Sequence, residues 1–129
     1  MSTPVRPAIT LRRLDRGDAD DVAAVVAAAV AGALPWEVMP PDAAPDPEDW
    51  TLARERAYAR FLRARPADEA SWLVVEGVAG GGVVIGVARL AGRGAANLEA
   101  GVWLARTARG RGVGMTVLGE VAVRGRTAG

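Results

Sequence analysis

Trp103-Leu104-Ala105-Arg106-Thr107-Ala108-Arg109-Gly110-Arg111-Gly112-Val113-Gly114 takes an apolar strand into an Arg-Gly turn and then into a helix. Glycines let a ligand approach the backbone, the helix start offers unpaired N–H groups, and its dipole favours an anion. The turn is expected to hold a pyrophosphate. No Gly-Lys-Ser/Thr follows it, so the lysine and hydroxyl of a nucleoside triphosphatase are missing. A dinucleotide fingerprint fits no better. Met115 stands where the last glycine of G-x-G-x-x-G belongs, and the chain stops before the acid that such a site needs about 20 residues later.

The spacing that fits is R-x-x-G-x-G, read as Arg109, Gly112 and Gly114, preceded by Glu99-Ala100-Gly101-Val102-Trp103-Leu104. The glycine pattern resembles the acyl-coenzyme A signature of the GNAT (general N-acetyltransferase) superfamily. The segment before it resembles the Glu-x-Gly-aromatic-Trp-Leu strand of the branch that includes ribosomal-protein N-terminal acetyltransferases and related antibiotic acetyltransferases. Ile9-Thr10-Leu11-Arg12-Arg13-Leu14 with Asp18-Ala19 is similar to the opening of that branch. Leu34-Pro35-Trp36-Glu37-Val38-Met39-Pro40 is similar to its substrate-side loop, in which Trp36 and Met39 are the candidate contacts.

Composition sets outer limits. The 129 residues suit one domain, 1–129, and half of them are hydrophobic. No apolar run is long enough to span a bilayer. Met1 to Arg6 lead into no apolar secretory segment, and a cytoplasmic location is expected. The chain has no cysteine and no histidine, which leaves no disulfide, thiol nucleophile, Ser-His pair or ordinary zinc site; no metal is expected. Proton transfer then falls to a carboxylate, a tyrosine or water. A net charge of +1 argues against a dedicated nucleic-acid binder.

Along the chain, Ile9 to Arg13 alternates as a strand, and Gly17-Asp18 opens a helix with Val22, Val25, Val26, Ala29, Val30 and Ala33 at helical spacing. Asp18, Asp20 and Asp21 sit at its positive end and read as caps. A Pro-rich loop runs from Leu34 to Asp46, a length that is often functional. Asp46-Pro47-Glu48-Asp49 predicts the start of a second helix running to about Ala64, with Trp50, Ala57 and Phe61 on its buried side. Arg56, Arg60 and Arg63 make a stripe that is either solvated or faces an acidic partner. Strands are predicted at Ser71–Glu76 and Val83–Leu90, joined by a flexible hairpin from Gly77 to Gly82. A turn at Gly92-Arg93-Gly94 then leads to a strand from Asn97 to Leu104, completing an antiparallel meander. The signature helix follows from Gly112 to about Arg124.

The resemblance implies an α+β fold. Strand, helix, helix, three strands and helix is the order of the first two thirds of a GNAT domain, flanked by helices and lacking the family's C-terminal strands. The domain would thus be C-terminally incomplete, with no fifth strand to form the far wall of the cofactor's V and no fourth helix to supply a general acid. Tyr58 does not occupy that acid's place. The fourth strand would be an exposed edge able to pair with another chain, a homo-oligomer among the options.

The resemblance also implies direct acetyl transfer from acetyl-CoA to an amine. At neutral pH an amine with a pKa of about 8 to 10.4 is mostly protonated, so a base is required. Glu99 matches the family's base, and Asn97, Glu99, Gly101 and Trp103 share one strand face; its other reading is a half-exposed carboxylate paired to an arginine. Backbone N–H groups at Trp103 or Leu104 would stabilise the oxyanion. Arg109, Gly110, Arg111, Gly112, Val113 and Gly114 would hold the pyrophosphate, mainly by main chain. Arg106 stands where the branch usually has proline, implying a differently shaped strand exit.

Three functions stand open: an acetyl-CoA-dependent N-acetyltransferase acting on a protein N terminus or small molecule; a non-catalytic remnant or partner subunit; and an RNA-binding module using Arg106–Arg111 and Arg124–Arg126. The single Tyr and single Phe leave the last with little stacking surface.

Overall fold

The computed structural model describes residues 8–43, 45–78, 81–92 and 99–128. Four strands, β1 (Ile9–Arg13), β2 (Ala70–Val78), β3 (Gly81–Ala91) and β4 (Glu99–Leu104), form one antiparallel sheet in the order β1-β2-β3-β4. Helices α1 (Ala19–Gly32), α2 (Pro35–Val38) and α3 (Leu52–Arg63) precede β2, and α4 (Val113–Ala128) follows β4. The meander and the α+β class match the sequence reading. The second half of the predicted Gly92-Arg93-Gly94 turn and Asn97 lie outside the described residues.

The two sheet faces bury two separate cores because side chains alternate along each strand. Leu73 and Val87 join Val22, Val25, Ala29, Tyr58 and Leu62 beneath α1 and α3. Trp72, Val74, Ala88 and Leu90 pack with Val113, Val117 and Val121 of α4. The alternation is reset once in β3. Val74 pairs with Gly86 and Val75 with Val84, so Ile85 and Gly86 together oppose one residue of β2. This bulge sends Ile85 to the α4 face and Val87 to the α1 and α3 face. Gly86 is needed where β4 crosses it, since a Cβ there would collide with the Trp103 carbonyl oxygen.

Asp18 caps α1 by accepting from the N–H groups of Asp20 and Asp21. Asp21 is buried and serves instead as an anchor for β1, accepting from Arg12 at 2.9 Å and from the Asp15 N–H at 3.0 Å. That backbone bond, with Arg12 beside it, outweighs burial and holds its carboxyl below the usual range.

The second predicted helix starts later than the sequence suggests. Asp46 to Asp49 make a turn, and Thr51 is the cap, its hydroxyl accepting from the Arg54 N–H at 3.1 Å. The buried row is Arg54, Tyr58 and Leu62, not Trp50, Ala57 and Phe61. Arg54 fills the place where an apolar residue is expected because it ties down the Pro-rich loop. Its guanidinium forks onto Asp42 at 2.9 and 3.0 Å and donates to the carbonyls of Asp46 and Asp49. Trp50 adds a bond from its indole N–H to the Ala33 carbonyl at 2.9 Å. The long loop is therefore a fixed wall, and Arg56, Arg60 and Arg63 are exposed.

Candidate active site

A cavity of about 360 Å³ opens between the loop at residues 34–40, α3 and the sheet. Its walls include Trp36 and Met39 from the loop, Tyr58 and Phe61 from α3, Arg89 from β3 and Trp103 from β4. The structure thus brings Trp36, Met39 and Trp103 into one wall. A more open groove of about 450 Å³ adjoins it, sharing Trp36, Glu37, Val102 and Trp103 and extending along β4 to Leu104 and Arg109. The two hollows meet at Trp103, and the groove points toward the glycine turn.

The turn has the backbone that its glycines allow. Gly110 and Gly112 adopt φ values of 78° and 75°, the left-handed region that L side chains rarely enter. A Cβ at either would meet nothing within 4 Å, so open space lies in front of α4. Val113, the first residue of α4, is buried in the core, so only its backbone could face a ligand. Gly114 lies inside the helix. The space and the donors there suit a pyrophosphate.

Both arginines of the turn already have partners. Arg109 donates from Nε to the Leu104 carbonyl at 2.9 Å and pairs with Glu37 at 2.7 Å. Glu37 also accepts from the Leu34 N–H at 2.8 Å, closing the cap of α2. Burial would raise the Glu37 carboxyl, but Leu34 and Arg109 outweigh it and hold the group below its usual range. The side chain of Arg109 is thus a strap joining the substrate-side loop to the strand exit. Arg111 pairs with Glu76 at 2.9 Å. Arg106, at the position where proline was expected, begins a single 3₁₀ turn, Arg106–Ala108.

Trp103 and Leu104 play different backbone roles. The Ala105 N–H donates to the Ile85 carbonyl at 2.7 Å, and Val87 is opposite Trp103. Alternation then turns Trp103 toward β3 and leaves the N–H of Leu104 on the outer edge, where its carbonyl meets Arg109. Of the two oxyanion candidates, Leu104 has the outward donor. The Trp103 indole N–H donates to the Tyr58 hydroxyl at 3.1 Å. Burial pushes the Tyr58 phenol above its ordinary value, against the opposing effect of Trp103, so it stays protonated at neutral pH.

Glu99 is exposed at the start of β4, on the strand face shared with Gly101 and Trp103, and is not part of the cavity wall. Two acids do reach the wall, Glu37 of the loop and Glu69, which the sequence reading passed over. Glu69 is the more buried of the two. It is buried at the end of a loop and held bidentately by Arg65 at 2.6 and 2.7 Å, with Arg89 at 3.3 Å. Burial would raise its carboxyl, but the two arginines keep it below the usual range.

The geometry places a glycine turn, a strand edge and an aromatic cavity in sequence. The chain belongs to the acetyltransferase (GNAT) domain family, whose model matches residues 8–127. No curated protein matches it. Among solved structures, a domain from Methanocaldococcus jannaschii DSM 2661 is similar at 14% identity with a TM-score of 0.66. That likeness covers 95% of this chain and 73% of that one and shows the fold alone. Among the described residues, no helix is long and apolar enough to cross a membrane.

Proposed function

We propose that the chain is an acetyl-CoA-dependent N-acetyltransferase of the ribosomal-protein N-terminal acetyltransferase-like branch, acting on a primary amine of a protein N terminus or small molecule. The observation that carries this reading is the junction of the two hollows at Trp103. One side runs along β4 to Leu104 and Arg109, the residue before the open turn at Gly110 and Gly112, and the other is the cavity lined by Trp36 and Met39.

Backbone N–H groups from Gly110 to Gly114 would hold the pyrophosphate, and the outer edge of β4 would receive the arm that carries the thioester. When bound, acetyl-CoA supplies an acyl carbon open to attack by an amine. Within the protein, the Leu104 N–H is available to an oxyanion at the strand edge. Tyr58 and Trp103 hold each other and keep the meeting point of the two hollows in shape. Glu99 stands at the end of the same strand face, where it would take a proton from the ammonium through water.

One observation favours a second reading, acyl-CoA binding without turnover: the proposed base is exposed and outside the cavity wall. Isothermal titration with acetyl-CoA, followed by a thiol-release assay on a panel of amines, separates the two. Binding with amine-dependent thiol release supports the enzyme; binding without release from any amine supports the second reading; no binding refutes both.

A further inference from the structure

Three arginines surround one carboxylate of the cavity wall. Glu69 is satisfied by the fork of Arg65 and lies within 3.8 Å of Arg16, whose other bonds go to the backbone carbonyls of Arg65, Pro66 and Glu69 and to the Ser71 hydroxyl. Arg89 is the surplus cation. Its bond to Glu69 is long, 3.3 Å, and its side chain is 48% exposed. A guanidinium has five N–H donors, and Arg89 commits one of them to Glu69.

The opposite strand is cut away to make room for it. Arg89 pairs with Gly101, and a Cβ at Gly101 would stand 3.0 Å from Arg89 Nε and 3.4 Å from Cζ. The glycine therefore lets the guanidinium lie across β4. Glu99 is two residues along the same face of β4, about 7 Å away at strand rise. Tyr58, Phe61, Leu62 and Trp103 give the cavity an apolar side beside its charged groups.

We propose that Arg89 is a specificity-determining residue which binds a carboxylate of the acceptor, so that the preferred acceptors are amines with an apolar body and a carboxylate near the amine. The proposal deepens the acetyltransferase reading and rests on it for the word acceptor. Planar, bidentate recognition is what a free guanidinium face offers a carboxylate.

The test is a pair of probes that differ only in the carboxylate, L-phenylalanine and phenethylamine, titrated into the full chain and followed by amide NMR shifts at Arg89 and Gly101. L-Phenylalanine is expected to bind at least about tenfold more tightly, the size of one charge-assisted bond. In Arg89→Gln the ratio of the two affinities is expected to fall to about one. If Arg89→Gln does not fold, 3-phenylpropionate takes its place as the control and is expected to compete with L-phenylalanine on the wild-type protein. Equal binding of the two amines, no binding of either, or equal loss of both in Arg89→Gln overturns the proposal. A parallel acetyl-CoA titration keeps the two ideas apart. Acetyl-CoA binding without carboxylate preference removes only the role of Arg89, whereas Arg89-dependent L-phenylalanine binding without acetyl-CoA binding removes only the acetyltransferase reading.

Discussion

Gly112 offers a perturbation whose effects on folding and on binding separate cleanly. Its φ of 75° is left-handed, and an added Cβ would touch nothing within 4 Å. In Gly112→Ala the whole cost to the free protein is therefore conformational, about 1–2 kcal/mol, with no steric clash added. Asn enters the left-handed region more readily than Ala, so Gly112→Asn is expected to cost less than Gly112→Ala. That strain is present with and without ligand and cancels in the affinity. What does not cancel is the space: both side chains occupy the volume assigned to the pyrophosphate. Acetyl-CoA affinity is expected to fall more than about tenfold in both variants, or about 1.4 kcal/mol, although Asn disturbs the fold less. Urea unfolding gives the first quantity and isothermal titration the second. Wild-type affinity in both variants would refute the assignment of the turn and leave its glycines with a purely conformational role.

Other outcomes follow from the same geometry. Glu99→Gln is expected to keep acetyl-CoA affinity and lower turnover at neutral pH; unchanged turnover removes Glu99 from the mechanism. Trp103→Phe leaves the buried Tyr58 hydroxyl without its donor and is expected to cost about 1–2 kcal/mol in urea unfolding, and no loss would mean that the bond at 3.1 Å is dispensable. Arg54→Ala frees the loop from Asp42, Asp46 and Asp49, so limited proteolysis is expected to cut between residues 40 and 50 sooner than in the wild type. Asp21, Glu37 and Glu69 have folded-state values held below their ordinary ones. Their stabilisation is therefore complete above the unfolded values of about 4 and lost as pH falls through the folded values. Thermal melts should be flat above about pH 5 and drop below about pH 4; a Tm unchanged down to pH 3 would contradict that.

The parts of the fold legible in the sequence are those set by local pattern. Alternation marked the strands, Asp18 marked the start of α1, and the R-x-x-G-x-G turn with its preceding strand pointed to the family that residues 8–127 match. What stayed hidden depends on contacts between distant residues. Pro47 after Asp46 imitates a helix start, but Arg54 reaches back eight residues and holds the Asp46 carbonyl in a turn. An arginine on the buried face of α3 breaks the apolar row from which the face was read. The four residues of α2 are too few for a period, and their cap depends on Glu37 and Leu34, with Arg109 arriving from 72 residues away. The carboxylate cluster at Glu69 escaped for the same reason. Arg65 is four residues from it, but Arg16 comes from the loop between β1 and α1 and Arg89 from β3. Glu99 was singled out by the family resemblance and its strand face, and its exposed position at the end of β4 could be seen only once the cavity wall had been traced.

The most direct test of the central claim is an amide proton–nitrogen NMR titration of the 129-residue chain with acetyl-CoA. The expected result is saturable shifts at Gly110 to Gly114 and at Leu104, the turn and the strand edge assigned to the cofactor. A folded spectrum that does not respond at those residues would contradict the assignment of that turn and edge to acetyl-CoA.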